Sequence, residues 1–336
     1  MNELSSIYPT DGAILRPLGP PRRVPAARAL LLPEQVSRLP AAWLIYAVGA
    51  SAVVVAAMMA QARLILVPNT LGFAAAVAVL LPLALARFWL RKPLSLRQRQ
   101  LGAFCEDTLV FVATALLGVL ASYPAAAATS GFADPALAHI DRLLHFDWLA
   151  WYGFVARHPV LQHAGAVAYG AIYATPLLML GYFAVHGRRC DARRFLGTFW
   201  LAVVLTLALF PLFPAAGPLA YLWHGPIPYM PTSALYQEQL IPALRARQMI
   251  DIDLGALRGL VCAPSFHAAS AGVFIAAAWP VPRLRWTLVP VNVAMLLATP
   301  VEGTHYLTDI IAGGLVAVAA ILVVNVVLPA RSRTAA

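Results

Sequence analysis

The sequence predicts an all-α polytopic membrane helical bundle of about eight transmembrane helices, and three observations predict it. The 336 residues are 61% apolar and only 11% charged, whereas a soluble domain runs near 45–50% apolar and about 25% charged. Charge-free windows long enough to cross a bilayer recur along the chain. The basic residues gather in alternate connections between those windows. Together these exclude a disordered chain, a disulfide-stapled secreted module and a soluble enzyme, whose wet surface would need the missing charge.

Each span follows from the charges that flank it. Between Arg38 and Arg63 lie 24 residues without Asp, Glu, Lys or Arg, and between Arg63 and Arg87 another 23. These predict helices near 41–62 and 66–88. The 26 residues between Asp107 and Asp134 and the 30 between Arg157 and Arg188 predict helices near 104–127 and 161–185. After Arg194 no charge appears until Glu238, but the prolines from Pro211 onward end that helix early, near 195–213. The 24 residues between Arg258 and Arg283 predict a helix near 264–281. The 16 between Arg285 and Glu302 suffice for 286–302 if Arg285 snorkels to the interface. The last span lies near 305–329.

Orientation follows from the 24 Lys and Arg. With the N-terminus in the cytoplasm, the segments 1–40, 87–102, 187–194, 283–285 and 331–336 carry 18 of them. Only Arg63, Arg142, Arg157, Arg245, Arg247 and Arg258 fall on the other side. The net charge of +10 is thus a topology signal, and no basic face is left for nucleic acid. The domain organisation expected is a disordered cytoplasmic tail over 1–40, N-terminal transmembrane helices over 41–127, an extracytoplasmic interfacial segment over 128–160, a catalytic transmembrane domain over 161–329 and a cytoplasmic tail over 330–336. The expected location is a bacterial inner (plasma) membrane. Cys105, Cys190 and Cys262 show no ligand spacing and no disulfide framework.

The outer face carries the residues of interest. Residues 128–160 crowd Phe146, Trp148, Trp151, Tyr152 and Phe154 among Asp141, Arg142, Asp147 and Arg157, which suits a helix lying in the interface. Residues 211–262 form the longest outer loop. Two short stretches follow: Ala263-Pro264-Ser265-Phe266-His267 at the outer start of the sixth span, and Glu302-Gly303-Thr304-His305-Tyr306-Leu307-Thr308-Asp309 at the outer start of the eighth. The 38 residues from His267 to His305 cross the membrane, turn and return, so both histidines reach one face and one depth. Asp309 follows His305 by four residues, one helical turn, so carboxylate and imidazole can meet. Ionisable groups at membrane depth are costly and mark functional sites.

This constellation fits phosphoryl transfer. A neutral imidazole attacks phosphorus when a carboxylate holds its second nitrogen and steadies the cation formed; His305 and Asp309 supply that pair. His267 is placed to protonate the departing oxygen. Pro264 and Ser265 open a helix, where backbone N–H groups and the serine hydroxyl can hold phosphate oxygens. Arg258 is the closest arginine in sequence for a bidentate anion contact, with Arg245 and Arg247 as weaker candidates. Tyr306 completes the expected substrate-binding set. Two histidines and one carboxylate with no H-E-x-x-H motif do not make a zinc-enzyme signature.

Pro264-Ser265-Phe266-His267 and His305-Tyr306-Leu307-Thr308-Asp309 resemble the second and third signatures of the type 2 phosphatidic acid phosphatase superfamily. The match is closest to its inositol phosphorylceramide synthase-like (inositolphosphotransferase) branch, where an upstream F-P-x-x-x-P stretch also recurs; Phe213-Pro214-Ala215-Ala216-Gly217-Pro218 looks like it. The resemblance covers residues from about 160 to 328. It implies a six-helix catalytic core with its site at the extracytoplasmic membrane surface. It also implies a phosphohistidine intermediate on His305 with Asp309 as partner, His267 as general acid, and no metal or other cofactor. The partners implied are a lipid phosphate and an acceptor, either water or a polyol or lipid alcohol. The hydrolase branch usually has an arginine six residues before the nucleophile, where this chain has Thr299, and a lysine in its first signature, where the only lysine here is Lys92 on the cytoplasmic side. Both departures favour the transferase-like branch over a plain lipid (prenyl) pyrophosphate phosphatase. A transporter or channel would instead distribute charge through several spans.

Overall fold

The computed structural model describes residues 41–327; the expected tails over 1–40 and 330–336 lie outside the described residues. The chain runs through α1 (Ala41–Ala62), α2 (Leu71–Trp89), α3 (Leu96–Ala127), α4 (Asp134–Leu143), α5 (Trp148–Ala156), α6 (Pro159–Val185), α7 (Arg189–Leu209), α8 (Pro218–Leu222), α9 (Tyr236–Arg245), α10 (Phe266–Ala278), α11 (Pro282–Glu302) and α12 (Leu307–Val327). Seven of these, α1, α2, α3, α6, α7, α11 and α12, are long and apolar enough to cross a membrane. The remaining expected span, the sixth, is the shorter α10, whose 13 residues rise only about 20 Å.

Local chemistry moves several helix ends away from the charge boundaries. The helix expected from 66 starts at Leu71, where Thr70 accepts from the Phe73 N–H at 3.1 Å. The one expected from 104 starts at Leu96, capped by Ser95 on Gln98 N–H, and so takes Glu106 and Asp107 into α3. Those acids are paired: Arg189 reaches Glu106 at 2.7 Å and Asp107 at 2.6 Å, and Arg87 also bonds Glu106. Pro282 opens α11 four residues earlier than expected, as proline does at a first helical position. Arg283 and Arg285 thereby enter α11, and the Arg285 guanidinium lies over the rings of Trp279 and Trp286. That aromatic-basic cluster is the kind that marks a membrane–water interface.

Residues 128–160, expected to form an interfacial segment, fold as two short helices, α4 and α5, rather than one. The long loop 211–262 carries α8 and α9. It also carries a two-residue strand, β2 (Asp251–Ile252), which pairs in parallel with β1 (Ile65–Leu66) just after α1. Large apolar side chains remain exposed along the outer faces, and α2 buries none of its residues, as lipid-facing helices require.

Helix α10 lies against α6, α7, α11 and α12. Its sequence explains this. Ala268, Ala269, Ser270 and Ala271 are small and buried, and small residues let membrane helices approach closely. A Cβ on Gly272 would lie 2.7 Å from Ala317 Cβ, and one on Gly313 would lie 2.2 Å from the Ser265 carbonyl oxygen. Toward the other end, Phe274 stacks on Phe199 and lies tilted against Phe195 of α7. The packed glycines thus draw the start of α12 onto the start of α10, where both sequence signatures lie.

Candidate active site

His305 sits in the four-residue connection between α11 and α12, not inside the last helix as expected. Its contact with Asp309 therefore comes from a helix-start geometry. Asp309 is the third residue of α12, and its Oδ2 accepts from the Tyr306 N–H at 3.1 Å, one half of a capping box. The same Oδ2 lies 3.5 Å from His305 Nδ1. At this distance imidazole and carboxylate are in contact without a short hydrogen bond, and such contacts often tighten only with substrate bound. Both side chains are buried.

The rest of the α12 start is held from α4. Asp141 accepts from Leu307 N–H at 2.8 Å, Thr308 N–H at 2.8 Å and the Thr308 hydroxyl at 2.6 Å. A carboxylate there satisfies otherwise orphaned donors and complements the helix dipole. Asp134, also on α4, accepts from the Tyr306 hydroxyl and from Ala216 and Gly217 N–H, all at 2.9 Å. Gly217 has φ +99°, and a Cβ on it would lie 2.8 Å from Thr304 O. The Phe213–Pro218 stretch is thereby fastened against the turn that carries His305. Burial and the neighbouring Asp134 push the Tyr306 phenol far above its ordinary value, so it stays protonated as a donor.

On the α11 side, the buried Glu302 accepts from the Tyr229 hydroxyl at 2.6 Å and from Thr232 N–H and Oγ1 at 3.1 and 2.7 Å. Trp148 Nε1 of α5 donates to Pro300 O at 2.9 Å. These bonds anchor α5 and the loop around Tyr229–Thr232 on the end of α11.

His267 is the second residue of α10. The Tyr169 ring of α6 stacks on it at 3.9 Å between centroids, and the Tyr169 hydroxyl lies 3.1 Å from His267 Nδ1. A Cβ on Gly303 would lie 2.5 Å from His305 Cδ2 and 3.1 Å from Tyr169 Cε2. Tyr169 and His305 therefore meet over this glycine, and His267 stacks on the Tyr169 ring. Ser265 caps α10, accepting from Ala268 N–H at 3.4 Å, and its own N–H donates to Asp309 O at 3.0 Å. Pro264 precedes it through a cis peptide bond and lines an apolar groove described below.

The structure thus brings His267, His305, Asp309, Ser265 and Pro264 together. It places Tyr306 on Asp134. Arg258 is set apart from the hydrogen bonds of this cluster: its guanidinium lies over the Tyr236 ring at 4.8 Å and its N–H donates to the Tyr123 hydroxyl. Arg245 bonds Thr129 and Gly131 O. Burial lowers the Arg245 pKa from its usual value. Sequence reasoning missed Tyr169, Asp134 and Cys262 and read Asp141 only as interfacial charge. The sole sequence signal for the two aspartates is their placement in a charged segment between spans.

The apolar groove lies between α4, α7 and α12 and holds about 480 Å³. Pro264 and Asp309 line it at the site, and Leu315 and Ala319 line it farther along α12. From Asp309 to Ala319 the helix rises about 15 Å.

Residues 135–323 match the profile of the PAP2 superfamily, which is more than half of the chain. The chain belongs to the PAP2 superfamily. No curated protein matches it, and no solved structure does. The PAP2 match begins well before the residue near 160 from which the resemblance was traced, and so takes in α4 and α5. This accords with Asp134 and Asp141 of α4 holding the turn and helix that carry His305 and Asp309. Superfamily membership and the seven apolar helices make this an integral membrane protein of phosphatase type.

Proposed function

We propose that this PAP2 protein is a lipid-phosphate phosphotransferase of the inositolphosphotransferase-like branch, working through a phosphohistidine at the extracytoplasmic interface. The observation that carries the reading is His305 turned with Nδ1 on Asp309, with His267 and Tyr169 beside it and an apolar groove leading away. In this scheme His305 Nε2 attacks phosphorus in line. The bond from phosphorus to the leaving oxygen breaks as the N–P bond forms. His267, protonated on both ring nitrogens, gives its Nε2 proton to that oxygen, while its Nδ1–H donates to the Tyr169 hydroxyl oxygen, 3.1 Å away. Water or an acceptor alcohol then attacks the phosphoenzyme, losing its proton to His267, and His305 is regenerated.

The first-turn N–H groups of α10 have no partner within their helix and suit the phosphate oxygens. The groove suits a hydrocarbon tail, so the substrate is a lipid phosphodiester, monophosphate or pyrophosphate. The acceptor decides between transfer and hydrolysis. A panel of lipids labelled at phosphorus, incubated with purified protein with and without inositol-type acceptors, tests this. A new labelled lipid that needs the acceptor supports transfer. Free phosphate or pyrophosphate cleavage alone replaces it with a hydrolase of lipid or prenyl pyrophosphates. No turnover of any lipid phosphate rejects the reading.

A further inference from the structure

We propose that Cys262, His305 and Asp309 form a site for a thiophilic divalent cation such as Zn²⁺, and that the ion inhibits the enzyme. Three observations converge. The first is geometric. Cys262 Sγ lies 3.2 Å from Asp309 Oδ2 and 3.8 Å from His305 Nδ1, and those last two atoms are 3.5 Å apart. Tetrahedral zinc, with bonds of about 2.3 Å to sulfur and about 2.0–2.1 Å to nitrogen and oxygen, sets its ligand atoms roughly 3.3–3.6 Å from one another. The three donors already form nearly that triangle, so an ion needs side-chain shifts of only tenths of an ångström.

The second is an unused acceptor. Asp309 Oδ1 is buried and has no hydrogen-bond partner among the described residues. A buried carboxylate oxygen left without a donor is costly, and a cation that takes both oxygens of the Asp309 carboxylate would satisfy it. The third is chemical. A thiolate and an imidazole select zinc-like ions over Mg²⁺ or Ca²⁺. One thiolate, one carboxylate and one neutral imidazole also cancel a double positive charge, so the filled site is neutral in a place where net charge is expensive.

Binding forms Zn–S, Zn–N and Zn–O bonds and expels one proton, that of the Cys262 thiol; nothing is oxidised or reduced. Burial, with Asp309 and Asp134 nearby, holds that thiol well above its ordinary pKa, but a coordinating metal deprotonates a thiol outright. Inhibition follows from the tautomer. With its lone pair at Nδ1 given to the metal, neutral His305 carries its proton on Nε2 and has no lone pair for phosphorus. This inhibitory part rests on His305 being the nucleophile; the binding part does not.

The test uses full-length protein in detergent, stripped with a chelator. Cd²⁺ is titrated while thiolate-to-cadmium absorption is followed in the ultraviolet, for wild type, Cys262→Ala and the size-matched Cys262→Ser. Cys105 and Cys190 remain in all three, so the difference reports Cys262. One extra absorbing equivalent in wild type supports the site; wild-type absorption no greater than that of the folded variants overturns it. In parallel, Zn²⁺ inhibition of lipid-phosphate turnover is read against each protein's own metal-free rate. At least a tenfold rise in the half-inhibiting Zn²⁺ concentration in the variants, with wild-type inhibition reversed by chelator, supports the inhibitory part. Equal sensitivity overturns it. If wild type turns over no lipid phosphate, the functional reading fails while the Cd²⁺ titration still decides the metal site.

Discussion

His305 points Nδ1 at Asp309 and Cys262, which leaves Nε2 as the nitrogen for phosphorus. A His305→Ala variant is therefore expected to lose at least about 10³-fold in turnover of any lipid phosphate the wild type accepts, as loss of a nucleophile does elsewhere. Turnover by purified variant checks this, and full activity would remove His305 from the chemistry. A second residue-scale outcome concerns Tyr306. Its phenol is held above the ordinary value by burial and by Asp134, while an unfolded tyrosine ionises near pH 10. The sign follows from linkage: below about pH 10 both states are protonated and stability is flat. Above it the unfolded chain releases the proton first, so stability falls as pH rises. Tyr306→Phe is expected to show a shallower fall between pH 9 and 11 in thermal unfolding, and an unchanged slope would contradict it.

At the scale of elements, the start of α12 depends on a carboxylate from α4. Removing Asp141 leaves the Leu307 and Thr308 N–H groups without their acceptor in a partly buried place. Asp141→Ala is expected to cost about 1–3 kcal/mol and to lower turnover, because Tyr306 and His305 ride on the same helix start. Asp141→Asn keeps one acceptor oxygen and is expected to recover part of both. Unfolding in detergent beside an activity assay separates the two effects; a variant as stable as wild type would show the cap to be dispensable. This is also where the sequence stops being legible. Spans are readable because lipid excludes charge from long windows, and the His305–Asp309 pair because its spacing is local. The Asp141 cap and the Tyr306–Asp134 bond join residues 166 and 172 positions apart, which no local pattern encodes. Tyr169 is hidden for the same reason: an aromatic in an apolar span gives no sign that it faces a histidine 98 residues on. Helix ends are misread wherever a cap, such as Ser95 or Thr70, outweighs the nearest charge.

For the whole molecule, the paired acids of α3 with Arg189 and Arg87 gather away from the histidines, near the starts of α3 and α7. From the 18-to-6 partition of basic residues, that end is expected in the cytoplasm. A membrane-impermeant maleimide applied to intact cells is expected to label Leu144→Cys, exposed between α4 and α5. It is expected to label Lys92→Cys, exposed between α2 and α3, only after lysis. The reverse pattern would invert the topology and place the histidines inside.

The small parallel pairing of β1 with β2 bears on how portable the enzyme is. Ile65–Leu66 and Asp251–Ile252 are stitched together. Val55 and Met59 of α1 and Leu120 and Tyr123 of α3 share one apolar cluster with Ile241, Leu244, Ile252 and Leu260. The strand that leads toward Cys262 and Pro264 thus rests on the very helices that lie outside the stretch matched to the superfamily. A fragment trimmed to residues 135–323 would keep both signatures and lose the bed beneath the loop that delivers one of them. It should emerge from detergent extraction as aggregate rather than as a working miniature. The front helices are a foundation of the half matched to the superfamily, and transplanting that half means moving them too.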